Sequence, residues 1–352
     1  MLTKTVLNTI VIFDGVKVFS DGDLHALEAR QSRDNNVMNR PKTRRTFAML
    51  SSKHHRIAAA CLLITLAGFA SVVVAATEFD RIDLPHLNPL KPESLCGIRD
   101  SMQDVELYDG TLGVSKEFVS ENARSTVRFR WPDDQKIIDE GYVPGTVAGM
   151  GWCTGTLVHE AMVLTAAHCF DALNDDAGRT TPFRYGNDGK PRLSDPRELA
   201  KLQLVDIGYQ RDPSRQVREP MTFQVKRLVE HRPGANHLDF AIVELEKDAD
   251  GKLAGDYAAP SPVAPRTVVS GEPIVIFQHP DGKPKMVEAG TVKAVNGGEI
   301  RYDDVDTWGG SSGAAIMSAE GDVIGVHLAG NCQVSHNEGI SAQAIAEVSD
   351  EL

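Results

Sequence analysis

Short, strand-like runs of apolar residues recur along most of the chain, and one of them, 125–131, alternates clearly between apolar and polar positions. Further runs of this kind lie at 201–209, 222–230, 239–245, 273–278, 286–295, 299–302, 314–317 and 322–328. Turns rich in Gly and Pro separate them, and many short runs so spaced predict an all-β sandwich or barrel. The tail at 342–352 has a helix-compatible pattern and is expected to pack on the outside.

Two polar stretches interrupt this pattern. Residues 171–195 are rich in Asp, Asn, Gly and Pro, which predicts a long surface loop. Residues 248–265 form a turn-rich linker between the earlier and the later strands. With 352 residues, the chain can hold one large domain or two ordinary ones.

A signal-peptide pattern begins at Met49, well inside the chain. A basic segment at 53–56 precedes an apolar run at 57–74, which is followed by Ala75 and Ala76. Basic residues, an apolar core and small residues at its end are typical of a cleaved export signal. We therefore expect the protein to start at Met49 and to be secreted or periplasmic after cleavage behind Ala76.

This signal divides the chain into four segments. They are an extension at 1–48 that is non-functional or disordered, the signal peptide at 49–76, a propeptide or linker at 77–95, and the folded domain at 96–352. Two alternatives stay open for the signal. The sequence Thr-Arg-Arg-Thr-Phe at 43–47 resembles a twin-arginine export motif. The apolar run is close to the roughly 20 residues that span a bilayer, so an uncleaved anchor is the other alternative.

Charge is distributed unevenly between the signal region and the rest of the chain. The formal net charge is -12 in total and +5 over the first 76 residues, which leaves -17 for the remainder. An acidic body of this kind is a poor match for nucleic acid or for anionic membrane surfaces. We expect no nucleic-acid partner, and contact with a membrane only if residues 57–76 are retained as an anchor.

A glycine-rich stretch in the C-terminal part carries the first candidate chemistry. It reads Asp306-Thr307-Trp308-Gly309-Gly310-Ser311-Ser312-Gly313. A tight turn of this kind can present a serine hydroxyl clear of its neighbours and direct adjacent backbone N–H groups at one point, where an oxyanion is stabilised. Glycine-serine turns are also common surface loops, so this stretch alone does not establish a nucleophile.

Two further motifs change the interpretation of this turn. The run Thr165-Ala166-Ala167-His168-Cys169 resembles the histidine motif of the trypsin-like, chymotrypsin-fold serine proteases. Asp239 opens an apolar run, and the order His168, Asp239, Ser312 is that of the chymotrypsin triad. The resemblance implies a serine endopeptidase with two six-stranded antiparallel β-barrels and a short C-terminal helix. We further expect a monomer that acts on protein or peptide substrates and needs no cofactor.

The resemblance also assigns the acid–base pair. His168 would accept the proton of the serine hydroxyl and pass it to the leaving amine. Asp239 would hold His168 in one tautomer and stabilise the imidazolium. Asp206, which lies in another apolar run, is its rival for this role.

Two neighbouring serines compete for the role of nucleophile. The family pattern Gly-x-Ser-Gly selects Ser312 over Ser311. The backbone N–H groups of Gly310 and Ser312 would then bind the oxyanion, where one donor alone is worth roughly 3–4 kcal/mol.

The chain has five cysteines, of which Cys61 lies in the signal segment. The other four are Cys96, Cys153, Cys169 and Cys332, and an even number in an exported chain indicates two disulfides with three possible connectivities. The family resemblance pairs Cys153 with Cys169, and Cys96 with Cys332 is then the remaining pair. Cys-x-x-Cys spacing is absent, and we expect no metal site.

The downstream half is more similar to one branch of the family, the bacterial glutamyl endopeptidases. The similarity covers 277–283, Tyr302, 306–313 and 325–327 with Gly330. In that branch a threonine five residues before the nucleophile and a histidine in a Gly-Ile/Val-His motif line the specificity pocket, and Thr307 and His327 match them. A histidine and a hydroxyl can together bind a carboxylate. The resemblance therefore implies cleavage after Glu and less often after Asp.

Two other functions stay open. Asp306, six residues before Ser312, resembles the acidic pocket base of trypsin and would favour cleavage after Arg or Lys. The chain also departs from the glutamyl endopeptidase pattern, because Ala314 and Ala315 stand where that branch often has Ser-Pro. The other alternative is a catalytically silent homologue that serves as a binding module, although such proteins typically lack a triad residue.

Overall fold

The computed structural model describes residues 12–13, 16–17, 95–96, 100–175, 178–234, 238–330, 332 and 335–352. The chain divides into two compact units, Met1–Phe79 and Asp80–Leu352. In the first unit, β1 (Ile12–Phe13) pairs antiparallel with β2 (Val16–Lys17). The predicted signal peptide and all but the last residue of the predicted linker lie outside the described residues. Among the helices that are described, none combines the length and the apolar character that a membrane span needs.

Short strands are the main type of regular secondary structure in the second unit. They are β3 (Gln103–Asp104), β4 (Thr126–Arg130), β5 (Gly151–His159), β6 (Met162–Thr165), β7 (Phe183–Tyr185), β8 (Pro191–Leu193), β9 (Leu204–Ile207), β10 (Met221–Arg232), β11 (Phe240–Leu245), β12 (Pro273–Gln278), β13 (Met286–Thr291), β14 (Ala294–Asn296), β15 (Glu299–Tyr302), β16 (Ala315–Met317), β17 (Val323–Gly330) and β18 (Asn337–Ser341). The α-helices are α1 (Lys116–Asn122), α2 (Asp134–Asp139), α3 (Pro196–Leu202) and α4 (Ala342–Ala346). The prediction of an all-β fold is confirmed.

The first barrel is closed. Its six strands pair in the order β10–β11–β6–β5–β4–β9, and β9 pairs back onto β10. Apolar side chains explain why these strands associate: in β11 only Glu244 is not buried, and Phe129 and Phe170 pack edge to face at 5.6 Å in the core. Each buried aromatic side chain removes about 150–250 Å² from water. This burial fixes the barrel on which the predicted His168 and Asp239 are mounted.

The second sheet has eight strands in the order β14–β15–β18–β17–β16–β12–β13–β3. It forms a half-barrel whose edges are β14 and β3, so the two-barrel prediction is confirmed in outline while the second barrel has more strands and an opening. The extra edge comes from the segment before the first barrel, where Asp104 pairs with Met286. The linker predicted at 248–265 connects β11 to β12, and hence the two sheets.

Two local predictions, the C-terminal helix and the loop at 171–195, have different outcomes in the structure. The predicted C-terminal helix is present as α4, which begins after Ser341, whose side chain accepts a hydrogen bond from the N–H of Ala344. The stretch at 171–195 is not wholly irregular, because β7 and β8 form a hairpin inside it.

Candidate active site

His168 and Asp239 lie side by side at one end of the first barrel. β6 and β11 are antiparallel neighbours, with Thr165 opposite Ala241. His168 follows β6 by three residues in the 3-10 helix Ala167–Phe170, and Asp239 directly precedes β11, so the ladder brings both to the same end. Nδ1 of His168 lies 2.5 Å from Oδ2 of Asp239, and the backbone N–H of His168 donates to Oδ1 at 3.0 Å.

The surroundings of Asp239 favour its carboxylate form. Burial, the largest influence, would raise the pKa of Asp239, but the charge of His168, the hydrogen bonds from its ring and backbone N–H, and one from the N–H of Ala167 together lower the pKa below its ordinary value. An ionised Asp239 holds the ring proton on Nδ1, which leaves Nε2 as the proton-accepting atom. This is the tautomer that a general base needs.

The two neighbouring serines have different surroundings. Ser311 is fully buried, its hydroxyl accepts from the N–H of Trp308 at 3.2 Å, and its own N–H donates to the Trp308 carbonyl at 2.9 Å. Its side chain therefore holds the turn together. The hydroxyl of Ser312 instead donates to the carbonyl of Leu328 on β17 at 3.1 Å. Of the two serine hydroxyls, that of Ser312 is therefore the one that points out of the turn.

The serine turn docks against the first barrel. Thr154 on β5 donates its N–H to the carbonyl of Ser312 at 2.9 Å and its hydroxyl to the carbonyl of Gly310 at 2.7 Å. Gly313 has φ +86°, and a Cβ there would lie 2.0 Å from the hydroxyl oxygen of Thr165. Only glycine allows this approach, which places the serine turn beside the end of β6, the strand that leads into the histidine.

A disulfide fixes the histidine segment to its neighbouring strand. Cys153 on β5 is bonded to Cys169, with 6.2 Å between the Cα atoms. The carbonyl of Cys169 accepts hydrogen bonds from Nε1 of Trp152 at 3.0 Å and from Nε2 of Gln203 at 2.8 Å. Because the two sulfurs are bonded to each other, they do not form a metal site with the adjacent His168.

A second group of potential metal ligands lies on the second sheet. Nε2 of His336 is 3.7 Å from a carboxylate oxygen of Glu299 and 3.7 Å from one of Glu338. Arg301 already donates to both oxygens of Glu299, at 2.6 and 2.9 Å. An ion pair therefore accounts for this group.

The predicted specificity residues Thr307 and His327 are both buried, and each has a polar partner. The Tyr302 hydroxyl is hydrogen-bonded to Nδ1 of His327, and Nδ2 of Asn337 donates to the Thr307 hydroxyl oxygen at 2.9 Å. When Tyr302 is the donor of this bond, the ring proton of His327 lies on Nε2. Likewise, an amide that donates to the threonine oxygen leaves its hydroxyl as a donor. In that tautomer the pair can offer two hydrogen-bond donors, the polarity that a carboxylate requires.

Sequence reasoning gave no role to Asn337. Asn337 reaches the site through the pairing of two strands that are distant in sequence, because it lies on β18 opposite Tyr302 on β15. Nothing in the local sequence of either strand specifies that register.

Asp306 is buried beneath the first residues of the folded domain. One of its oxygens accepts from the N–H of Cys96 at 2.6 Å, and the other accepts from the N–H and the hydroxyl of Ser101 at 2.9 and 3.0 Å. Cys96 is disulfide-bonded to Cys332 with 4.8 Å between Cα atoms. The carboxylate therefore has three donors from its own chain.

Asp206, the rival for the triad aspartate, belongs to a different network. It is fully buried on β9 and binds Arg128 at 2.5 Å, Arg130 at 3.0 Å and the hydroxyl of Thr222 at 2.7 Å. The carboxylate that contacts His168 is that of Asp239.

Comparison with known proteins gives one family-model match and distant relatives. Residues 153–326 match the trypsin-like peptidase domain. An uncharacterised protein, y4fB, of Sinorhizobium fredii is 28% identical over 189 residues, which is 51% of this chain and 25% of that protein. A glutamyl endopeptidase of Staphylococcus epidermidis is 28% identical over 102 residues, which is 28% of this chain and 36% of that protein. The chain thus spans between a quarter and about a third of the length of these relatives.

Two matching solved structures are more distant in sequence. A Glu endopeptidase in complex with MPD is 19% identical with a TM-score of 0.45, covering 72% of this chain and 96% of that one. The MamO protease domain of Magnetospirillum magneticum is 16% identical with a TM-score of 0.41, covering 66% of this chain and 98% of that one.

Proposed function

We propose, from the premise that residues 153–326 form a trypsin-like peptidase domain, that the protein is an exported serine endopeptidase. The observation that carries this proposal is the His168–Asp239 pair, with 2.5 Å between Nδ1 and Oδ2, at the end of the barrel against which the Ser312 turn docks. A fold alone does not determine function, but a base, its orienting acid and a serine turn at one place support acyl transfer.

The reaction would proceed through an acyl-enzyme. The Ser312 oxygen attacks the carbonyl carbon of the substrate while its proton passes to Nε2 of His168. Asp239 keeps the ring oriented and stabilises the imidazolium that forms. His168 then protonates the leaving amine as the C–N bond breaks, and a water molecule, deprotonated by His168, hydrolyses the ester.

Charge develops on the substrate carbonyl oxygen during both steps. The N–H groups of Gly310 and Ser312 are our candidates for stabilising it, as the family resemblance implies. Each such donor is worth roughly 3–4 kcal/mol in the transition state. Gly310 has φ +95°, a backbone conformation that suits glycine and that shapes the turn around this point.

We further propose that the enzyme cleaves after Glu, and less often after Asp. Support comes from His327 and Thr307, which can act as two hydrogen-bond donors when the Tyr302 hydroxyl donates to Nδ1 of His327 and the Asn337 amide donates to Thr307. The relative from Staphylococcus epidermidis is named a glutamyl endopeptidase. Cleavage after Arg or Lys is less well supported, because the Asp306 carboxylate already accepts hydrogen bonds from the preceding segment.

Export remains part of the proposal. The two disulfides fit an oxidising compartment, and the sequence pattern at 49–76 is that of a signal peptide. Edman sequencing of protein from the culture medium or the periplasm tests this. A mature N-terminus before Met49 would contradict the proposed start and signal.

The activity is tested with a peptide library, with mass-spectrometric mapping of the cut sites, and with a fluorophosphonate that labels activated serines. We expect cuts after Glu, and labelling that is lost in Ser312→Ala. Ser311→Ala is the matched comparison: it loosens the turn but keeps the Ser312 hydroxyl, so labelling should be slowed and not abolished. Absence of cuts and of labelling, also after limited proteolysis, would instead support a binding module on a protease fold.

A further inference from the structure

A partly buried arginine, Arg128, connects the first barrel to the serine turn through a short intermediate turn. We propose that Arg128 is a positioning residue that fixes the direction of the Gly310 N–H, the oxyanion donor, and that Asp206 serves to hold Arg128 in place. This inference rests on the proposed serine protease function. It gives a role to Asp206, the acid that the triad does not use.

Arg128 is held from three sides. Its Nη2 and Nε bind Oδ2 of Asp206 at 2.5 and 3.1 Å, and its guanidinium carbon lies 3.3 Å from the centre of the Tyr209 ring. The remaining terminal nitrogen, Nη1, donates to the carbonyl of Gly282 at 3.0 Å. A planar guanidinium locked by a carboxylate and an aromatic face has one orientation, so the position of its Nη1 donor is fixed.

The residue that receives this bond belongs to a compact turn, the 3-10 helix Pro280–Gly282. Asp281 and Gly282 have φ values of 51° and 65°, which for the non-glycine Asp281 is an uncommon conformation. On its other side the turn meets the backbone of β5, since a Cβ on Gly282 would lie 2.6 Å from Cα of Gly151. Arg128 and β5 thus restrain the turn from two directions.

This turn holds the peptide that carries the oxyanion donor. The N–H of Asp281 donates to the carbonyl of Gly309 at 2.5 Å. A Cβ on Gly310 would lie 2.8 Å from the carbonyl oxygen of His279 and 3.0 Å from the nitrogen of Gly282, so the contact is close. In a planar trans peptide the N–H points opposite to the C=O. Holding the Gly309 carbonyl on the turn therefore directs the Gly310 N–H away from it.

A second arginine supplies the matched control. Arg130 also binds Oδ2 of Asp206, at 3.0 Å, but its described hydrogen bonds do not reach the Pro280–Gly282 turn. Arg128→Met and Arg130→Met each remove one arginine from the same carboxylate. Only Arg128→Met removes the bond to Gly282.

The experiment compares kcat, KM and inhibitor binding for the full chain and both variants. For Arg128→Met we expect kcat to fall by about tenfold to 100-fold with KM nearly unchanged, because misplacing a group near the chemistry can cost about 10²-fold. The affinity for a peptide aldehyde, whose adduct carries the oxyanion, should fall by the same factor, while the affinity for the product peptide stays constant. Arg130→Met should keep wild-type values, and equal effects in the two variants would overturn the proposal.

Two further outcomes are informative. If Arg128→Met fails to fold because Asp206 is left buried with less compensation, both substitutions are repeated in an Asp206→Asn background. There Arg128 keeps its contacts with Tyr209 and Gly282 but loses the carboxylate, so a smaller difference in the same direction is expected. If the wild-type chain neither labels with fluorophosphonate nor cuts peptides, the proposed function fails and this inference fails with it. Normal wild-type activity without a difference between the arginine variants overturns the inference alone.

Discussion

The carboxylate of Asp306 accepts a hydrogen bond from the backbone N–H of Cys96 at 2.6 Å, although 210 positions separate the two residues. Ser101 adds two more donors to the same side chain. The disulfide to Cys332 anchors the segment a second time. The residue that resembled a pocket base for Arg or Lys therefore tethers the start of the folded domain to the second sheet.

Asp306→Asn should destabilise the protein without changing its cleavage preference. Charge-assisted hydrogen bonds contribute about 1.5–3 kcal/mol each, and the amide keeps only part of them, so we expect a loss of about 2–4 kcal/mol in the free energy of unfolding. Urea denaturation measures the loss, and the peptide library measures the preference. Asp303→Asn, at an exposed ion pair with Lys293, is the control. Loss of cleavage after Arg or Lys in Asp306→Asn would contradict the structural role.

The two disulfides should differ in their effect on catalysis. Cys96→Ser with Cys332→Ser opens a link across 236 positions and should cost about 2–5 kcal/mol of stability, while the folded fraction keeps its fluorophosphonate labelling. Cys153→Ser with Cys169→Ser should also slow labelling, because that bridge fixes the segment carrying His168. Labelling rates per folded molecule, measured after correction by denaturation curves, compare the pairs. Equal labelling rates in both double variants would show that the Cys153–Cys169 bridge does not position His168.

Asp239→Asn should lower kcat by about 10⁴-fold with little change in stability. The amide can donate as well as accept, so it no longer enforces the Nδ1–H tautomer of His168 on which the base depends. Stopped-flow or long-time hydrolysis of a Glu peptide measures the effect. The rival assignment predicts the reverse pattern, in which Asp206→Asn loses this much activity and Asp239→Asn stays close to wild type.

Glu288 should make stability depend on pH in one defined window. Its carboxyl is buried, and this burial, with a further contribution from the nearby charge of Asp306, raises its pKa to about 8. Because the ordinary value is 4.5, the folded state binds more protons than the unfolded state between these values. The free energy of unfolding therefore falls as the pH rises through that window.

Glu288→Gln should remove this dependence. At pH 9 the variant should be more stable than the wild type by up to about 4–5 kcal/mol, and at pH 4 the two should agree closely, since each pKa unit corresponds to about 1.36 kcal/mol. Urea denaturation at pH 4, 6 and 9 gives the difference at each pH. Glu320→Gln, at an exposed position, serves as control, and a difference that is constant with pH would show that the Glu288 carboxyl does not titrate in this window.

Local patterns predicted the parts of this molecule that local chemistry determines. Apolar runs located the strands around Phe129 and Phe240, and the resemblance around His168 indicated a barrel protease from the sequence alone. The structure then brings His168 and Asp239 into contact, as that order of motifs requires. A short-range pattern was sufficient because each motif sits at the end of its own strand.

Relationships between distant strands were not predictable in the same way. β3 has two residues and no distinctive pattern, and it joins the second sheet by pairing with Met286 and Val287 of β13. The bond from Arg128 to Gly282 spans 154 positions, and the approach of Asn337 to Thr307 depends on the register of β15 and β18. Such contacts are set by packing of the whole domain, so neither composition nor periodicity marks the residues that make them.

Tyr302→Phe offers the sharpest test of the specificity pocket. The phenyl ring keeps the volume and the burial of Tyr302 and removes only the hydroxyl that is bonded to Nδ1 of His327. In the tautomer proposed for the site, the Tyr302 hydroxyl donates to Nδ1 and holds the ring proton of His327 on Nε2. Without this hydroxyl the site loses part of its preference for a carboxylate. A buried hydrogen bond contributes about 1–1.5 kcal/mol, and we therefore expect kcat/KM for Glu peptides to fall by about tenfold.

The charge preference of the pocket is measured by comparing kcat/KM for a Glu peptide and a Gln peptide that are otherwise identical in sequence. Tyr302→Phe should reduce the ratio of their kcat/KM values while the value for Gln changes little, because only the carboxylate needs two donors. Tyr257→Phe removes another tyrosine hydroxyl, one bonded to Asp248, and should leave the ratio unchanged. An equal decrease for both peptides would mean that the Tyr302 hydroxyl supports the fold of the pocket and does not select its charge. A larger ratio of kcat/KM for Glu over Gln would contradict the prediction, because His327 would then bind the carboxylate better without the Tyr302 hydroxyl.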